Sequence, residues 1–199
     1  MEGGRAFRWM LLLVASMLFG VFGCAGVEAQ KKYDAGLQSY EKAKNYDQAI
    51  KELKEAIQLD PKNASAQSLL GWCYVKKGKL DLAHPYFKKA VELDSGNISA
   101  LGGMGLCYYA SGKDKEAMET AREVLMLTSK VIQSGEVLYY SAEGKKYFND
   151  FRGDSYAILG MANQRLGKYE EAIRNLEKAL EKPASWGDPK DIRLHLAQS

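Results

Sequence analysis

The chain has 199 residues, 28 basic and 25 acidic side chains, a formal net charge of +3 and 46% hydrophobic residues. The charges nearly balance and no long basic run occurs, which argues against a nucleic-acid-binding protein. The two histidines, His84 and His195, do not have the spacing of a metal-ligand pair. No nucleophile or cofactor motif is present either. We therefore predict that the protein is not an enzyme and binds no metal, cofactor or small-molecule substrate.

Residues 1–23 have the pattern of a secretory signal peptide. Arg5 and Arg8 precede an apolar run at residues 9–22 that is too short for a comfortable transmembrane helix. Such a segment directs export and is removed, so we expect it to lie outside the fold. The sequence thus predicts an exported protein.

Two processing sites remain open. Residues 21–24 resemble a bacterial lipobox, which predicts cleavage before Cys24, lipidation of Cys24 and a linker over residues 24–29. Ala25 follows the cysteine, and by resemblance to Gram-negative lipoproteins this favours the outer membrane, facing the periplasm. In the alternative, residues 27–29 form an ordinary signal-peptidase site, and cleavage between Ala29 and Gln30 releases a soluble periplasmic or secreted protein.

The segment at residues 64–97 has the clearest internal pattern. It combines small and large residues at fixed offsets, namely Leu70, Gly71, Tyr74, Ala83, Phe87 and Ala90. The small residues allow two antiparallel helices to approach closely, and the large residues fill the space between them. This pattern resembles the tetratricopeptide repeat (TPR), a helix–turn–helix unit that stacks on copies of itself.

The resemblance implies an all-α TPR solenoid of about four repeats within residues 30–199. We assign the repeats to residues 30–63, 64–97, 98–127 and 153–184, with an insertion at 128–152 and a capping helix at 188–199. Within these repeats we expect helices at 48–59 and 82–93. We also expect the second helix of the third repeat to continue to about Gln133, and a further helical segment to run into the fourth repeat.

The insertion is rich in aromatic residues: Tyr139, Tyr140, Tyr147, Phe148 and Phe151. Insertions in repeat arrays often map to the binding face. Two interpretations stay open, because these side chains could pad a longer helical hairpin or contact a partner.

By resemblance to TPR proteins, the first helices of successive repeats line a concave groove that binds a protein or peptide partner. The groove positions that match include Gln38, Trp72, Lys76, Leu106, Tyr109, Met161 and Arg165. Trp72 and Tyr109 are the strongest candidates, since large aromatic residues dominate binding hot spots. Packing against the adjacent repeat is the alternative for both. Asp34 and Gln38 replace the Lys and Asn of the carboxylate clamp, so we do not expect binding of chaperone C-terminal tails.

Cys73 and Cys107 occupy the same slot of adjacent repeats, 34 positions apart. Equivalent atoms of packed helices lie roughly 8–10 Å apart, whereas a disulfide needs Cα atoms within about 7 Å. We therefore predict two buried free thiols, even in an exported protein.

These features together predict an exported, membrane-anchored TPR scaffold that holds a protein or peptide partner in its groove. TPR lipoproteins of this size resemble accessory factors that support assembly of envelope complexes. The soluble periplasmic or secreted binding module is the alternative.

Overall fold

The computed structural model describes residues 26–134, 142–181 and 197, and for residues 142–148 the backbone alone. These residues form eight α-helices and contain no strand. The helices are α1 (26–41), α2 (Tyr46–Leu59), α3 (Ala64–Lys76), α4 (Leu80–Leu93), α5 (Ile98–Ala110), α6 (Asp114–Gln133), α7 (Ala142–Arg165) and α8 (Tyr169–Leu180). The predicted all-α class is therefore confirmed.

The helices form antiparallel hairpins that stack in chain order. Within the hairpins α3 packs on α4, α5 on α6 and α7 on α8. Between hairpins α2 packs on α3, α4 on α5 and α6 on α7, and the odd-numbered helices α3, α5 and α7 also contact each other. We call the side of the stack formed by α1, α3, α5 and α7 the inner face.

The turns inside three of the hairpins each need a residue with left-handed backbone geometry. Gly78, Gly112 and Gly167 supply it, with φ angles of 69°, 73° and 73°. Lys44 stands at the corresponding position of the first hairpin with a φ of 49°. Glycine adopts this conformation without the steric cost that a Cβ adds, so the sequence repeats glycine there.

Asparagine side chains cap the N-termini of three of the helices. The Oδ1 atoms of Asn45, Asn63 and Asn97 accept hydrogen bonds from backbone N–H groups in the first turns of α2, α3 and α5, at 3.2, 2.8 and 2.9 Å. Each bond satisfies a donor that would otherwise lack a helical partner. The helix starts are therefore fixed locally, by single residues.

Phe87 of α4 holds the second and third repeats together. A Cβ added to Gly71 of α3 would lie 2.6 Å from the Phe87 ring, and one added to Gly103 of α5 would lie 2.3 Å from it. The ring is fully buried, and the Trp72 ring packs against its edge at 5.4 Å. Two glycines on different helices thus leave the space that one phenylalanine fills.

At the interface between the third and fourth repeats, the large and the small residue have changed places between the two packed helices. Ala121 of α6 stands where the second repeat has Phe87, and Ile158 of α7 stands where the third repeat has Gly103. The Ile158 side chain fills the space beside Gly105, at 3.3 Å from an added Cβ. The facing helix therefore supplies the volume that Ala121 does not, which keeps the interior filled.

Three of the predicted segments differ from the structure. Residues 26–29, predicted as linker, are helical, and Ala29 is only 3% exposed because it packs in the interior. The helix predicted at 82–93 begins at Leu80, so Pro85 lies inside α4. Similarly, α2 begins two residues before the predicted Gln48, directly after its Asn45 cap.

The predicted extension of α6 to Gln133 and the helix leading into the fourth repeat are confirmed. Parts of the insertion therefore lengthen α6 and α7. The signal peptide, Cys24, the capping helix at 188–199 except Ala197, and the side chains of Tyr139, Tyr140, Tyr147 and Phe148 lie outside the described residues. Cys73 and Cys107 are buried free thiols, as predicted.

We predict that Gly103→Ala lowers the free energy of unfolding by about 1–2 kcal/mol. The added methyl group overpacks the Phe87 ring, which costs about 1–3 kcal/mol, and alanine recovers up to about 1 kcal/mol through helix propensity. Urea unfolding followed by circular dichroism measures the change. Gly26→Ala is the control, because its Cβ meets no atom within 4 Å. Equal stability of the two variants would contradict the packing of Phe87 described above.

Candidate binding groove on the inner face

The inner face contains a cleft of about 350 Å³ between helices that are distant in sequence. Its walls come from α1, α3, the start of α5 and the first half of α7. They consist of Tyr33, Leu37, Tyr40, Glu41, Ser65, Ser68, Leu69, Trp72, Lys76, Asn97, Ser99, Asp150 and Phe151. Pockets of this volume suit small ligands or single side chains of a partner.

Trp72 forms part of the cleft wall but is mostly a packing residue. It is 6% exposed, and its ring makes edge contacts with Phe87 at 5.4 Å and Phe151 at 5.9 Å. Its indole N–H donates to the Ser99 hydroxyl oxygen at 2.9 Å and lies 3.2 Å from the Ser99 carbonyl oxygen. The tryptophan is therefore held rigidly, with one edge reaching the cleft.

Phe151 closes one side of the cleft. It lies on the part of α7 that precedes the fourth repeat, and a Cβ added to Gly102 of α5 would be 2.7 Å from its ring. Because residue 102 has no side chain, the ring lies over α5 and reaches Trp72 of α3. Phe151 is 6% exposed and belongs to the main core. The cleft is thus confined to the N-terminal half of the stack.

The other predicted groove residues differ widely in exposure. Gln38 and Lys76 are exposed, and Lys76 lines the cleft. Leu106 and Met161 are 7% and 6% exposed. Leu106 packs in the main core, and Met161 packs with Ala157 and Leu176. Little of either side chain is therefore available to a partner.

Arg165 contacts Tyr109, and neither residue lines the cleft. The Arg165 guanidinium stacks on the Tyr109 ring, 3.7 Å from its centroid, and donates to the Tyr109 carbonyl oxygen at 2.7 Å. It also forms a 2.9 Å ion pair with Asp114. Burial raises the pKa of the Tyr109 hydroxyl, although the neighbouring Arg165 charge opposes this. These contacts fasten the last turn of α7 to the α5–α6 turn.

Two of the neutral donors of the cleft are already bound within the protein. The Ser68 hydroxyl donates to the Ser99 hydroxyl oxygen at 2.9 Å, and Trp72 donates to the same atom. The charged groups that line the cleft are the Glu41 and Asp150 carboxylates and the Lys76 ammonium group. The cleft therefore combines apolar walls with charged groups of both signs.

The described residues contain neither a reactive cysteine thiolate nor a group of side chains that could hold a metal ion. Burial raises the pKa of the Cys73 and Cys107 thiols to about 12, so they stay protonated near neutral pH. Within residues 26–134 and 142–181 no group of three or more His, Cys, Asp or Glu side chains could hold a metal ion. None of the helices in these ranges is both long and apolar enough to cross a membrane.

Sequence reasoning missed most of the cleft walls. Tyr33, Leu37 and Tyr40 recur at helical spacing along one side of α1, and this signal could have been recognised. Asp150 and Phe151 could not be placed, because their position depends on how far α7 extends before the repeat begins. Leu69 and Ser99 lie outside the recurring positions of the repeat pattern, which therefore does not point to them.

Comparisons with known proteins agree with this architecture. Tetratricopeptide repeat models match residues 29–98, 75–130 and 153–181. No curated protein was found that matches the chain.

Solved structures with a similar fold include the following three. Pseudomonas aeruginosa pilF is 22% identical with a TM-score of 0.60, over 87% of this chain and 68% of that chain. YrrB, described as a TPR protein with an unusual peptide-binding site, is 20% identical with a TM-score of 0.60, over 95% and 88%. The TPR2B domain of yeast Sti1, solved in complex with pHsp70, is 17% identical with a TM-score of 0.50, over 65% and 96%. At these identities the likeness concerns the fold.

We predict that Arg165→Ala lowers the free energy of unfolding by about 1–2 kcal/mol, because it removes a stacked cation and leaves the Asp114 carboxylate without this partner. Arg165→Lys should recover only part of the loss, since lysine lacks the planar fork. Arg174→Ala is the control: its ion pair with Glu170 is 4.0 Å long and exposed, so its removal should have almost no effect. Urea unfolding compares the three variants. A loss for Arg174→Ala as large as that for Arg165→Ala would refute the role of the stack.

Proposed function

Because the chain belongs to the tetratricopeptide repeat family, we propose that it is a scaffold that binds a protein partner in the inner-face cleft. The observation that carries the proposal is the cleft itself, which joins side chains of four helices into one concave, largely apolar surface with charged groups. YrrB and the Sti1 domain, which share the fold, are described with a peptide-binding site and in a complex with pHsp70. In the present chain Phe151 closes one side of the cleft.

The proposal places partner binding on α1 and α3 rather than along the whole inner face. Leu106 and Met161 are buried, and Arg165 is engaged with Tyr109 and Asp114. Of the groove residues predicted from the sequence, Trp72 and Lys76 line the cleft and Gln38 is exposed on α1, whereas the exposed Arg165 and the half-buried Tyr109 lie outside the cleft. Partner binding on α1 and α3 needs no catalytic group, since binding requires only a shaped, preorganised surface.

We further propose that the protein is exported and anchored to a membrane through a lipid on Cys24, where it supports assembly of an envelope complex. The position of Ala29 favours this processing over cleavage before Gln30. Ala29 is buried within α1, so cleavage there would remove a packed turn of the helix. Cleavage before Cys24 leaves α1 intact and places the lipid only two residues from Gly26, within about 7 Å of the helix when extended.

Partner binding can be tested with Ser65→Trp. Ser65 is exposed and lines the cleft, so the indole should fill the binding surface without disturbing the core. We expect the variant to retain its circular dichroism spectrum and to lose at least about 90% of the partner captured from envelope extract, a loss of roughly 1.4 kcal/mol or more in binding.

Gln58→Trp provides the matched control. Gln58 is exposed on α2 and does not line the cleft, and the substitution again replaces a neutral polar residue with tryptophan. It should capture the partner as well as the wild type does. Equal capture by both variants would show that the cleft is not the binding surface.

Membrane anchoring is tested by the intact mass of the mature protein, with Cys24→Ser as the variant. We expect the wild-type mass to begin at Cys24 and to include acyl chains, and the variant to lose both the acyl mass and membrane association. A wild-type mass that begins at Gln30 and is unaffected by the substitution would instead identify a soluble periplasmic or secreted module.

A further inference from the structure

One edge of the stack lies next to the proposed lipid anchor. α1 and α2 run antiparallel, as shown by the ion pair of Lys32 with Glu55 at 2.6 Å and the hydrogen bond that Ser39 donates to Glu52 at 2.8 Å. Because each later helix also reverses the direction of the one before it, α1, α3, α5 and α7 all begin at one edge, which we call the lower edge. Cys24 precedes the first residue of α1 by two positions, so a lipid on it would lie within about 7 Å of the lower edge.

The end of α6 projects beyond the lower edge. A Cβ added to Gly105 of α5 would lie 3.8 Å from the Thr120 Cβ of α6, so these two residues stand opposite each other. α5 begins seven residues before Gly105, at Ile98, whereas α6 ends thirteen residues after Thr120, at Gln133. The difference of about six residues carries α6 about 9 Å beyond the start of α5, at 1.5 Å per residue.

The first turns of α7 project farther in the same direction. Arg152 donates a hydrogen bond to the Ser129 hydroxyl oxygen at 3.0 Å, which sets the register between α7 and α6. Ser129 is four residues from the end of α6, whereas α7 begins ten residues before Arg152, at Ala142. The start of α7 therefore lies about 9 Å farther from the stack than the end of α6 does.

The projecting turns are rich in apolar and basic residues. At the end of α6, Ile132 is 44% exposed and Lys130 is exposed as well. In the first turns of α7 the sequence has two lysines followed by tyrosine and phenylalanine at residues 145–148, with Glu143 as an acidic residue before them. Tyrosine is enriched at membrane–water interfaces, and lysine near a membrane is attracted to anionic lipid headgroups.

We propose that this projecting part of α6 and α7 rests on the surface of the membrane that holds the Cys24 lipid, so that the lower edge faces the bilayer. The tether between lipid and fold is short, and α1 is fixed to the stack through the buried Ala29, so the anchor holds the lower edge close to the headgroups. The projection leaves the stack at this same edge, which favours the bilayer over a protein as its contact. This inference rests on the proposed lipid anchor.

A fluorescent label at Ile132 tests the contact in the mature lipidated protein, reconstituted in vesicles of phosphatidylethanolamine and phosphatidylglycerol. Ile132→Cys is labelled with nitrobenzoxadiazole, and the buried Cys73 and Cys107 thiols are protected from the dye. We expect the vesicles to raise the emission of this label at least about twofold, because the dye enters the interfacial region. Leu82→Cys is the matched control, since Leu82 is 48% exposed near the start of α4, at the opposite edge. Its emission should stay unchanged.

Charge reversal identifies the attraction to the headgroups. In the Ile132-labelled protein, Lys145→Glu combined with Lys146→Glu should reduce the rise in emission by at least about half, while the lipid still keeps the protein on the vesicles. Lys88→Glu combined with Lys89→Glu reverses two adjacent lysines that are exposed on α4. That control should keep the full response, and circular dichroism verifies that both variants fold.

The possible results separate this inference from the anchoring itself. Protein that floats with the vesicles but shows equal emission changes at residues 132 and 82 would overturn the inference and leave the lipid anchor in place. Protein that carries no acyl mass and does not float would overturn both. A response at Ile132 that needs envelope extract, or that grows with protein concentration in the absence of vesicles, would identify a protein or a second copy of the chain as the contact and would also overturn the inference.

Discussion

The fit of the Phe87 ring between Gly71 and Gly103 is the constraint on which the stack depends. The ring fills space on two helices at once, one in its own repeat and one in the next. Neither glycine can gain a side chain unless the ring moves, and the ring has no exposed side toward which it could move. Trp72 packs on the same ring and also lines the cleft. The packing of the interior therefore determines the position of one wall of the cleft. Changes to the core are therefore expected to alter the binding surface as well.

The stack then varies this arrangement instead of repeating it. At the next interface the large side chain comes from α7, as Ile158, and the small one from α6, as Ala121. Gly102 and Phe151 form a second pair of this kind, since the absent side chain of one residue admits the ring of the other. The pair of Ala121 and Ile158 keeps the interior filled. The pair of Gly102 and Phe151 fills the inner face at α5, so the cleft lies beside α1 and α3.

Several side chains of the cleft wall are held rigidly by hydrogen bonds to one another. Its tryptophan and serines bind one another, so their positions are fixed before a partner arrives, which lowers the entropic cost of association. The remaining lining consists of apolar walls and the charged residues Glu41, Asp150 and Lys76. A preorganised apolar surface beside charged groups gives affinity through burial and selectivity through electrostatics. The contacts of Arg165 with Tyr109 and Asp114 join the last turn of α7 to α5 and α6.

The sequence by itself determined the features that depend on near neighbours along the chain. The helix class, the asparagine caps, the glycine turns and the extension of α6 to Gln133 follow from local backbone preferences and from a fixed period of small and large residues. Only the tertiary structure decided which groove positions reach the surface. Leu106, Met161 and Arg165 fit the groove pattern, but the packing partners that cover or engage them come from other helices. Phe151 reaches Trp72 because α7 extends beyond its repeat and residue 102 is a glycine. Such a contact depends on the relative position of helices far apart in sequence, which local periodicity does not encode.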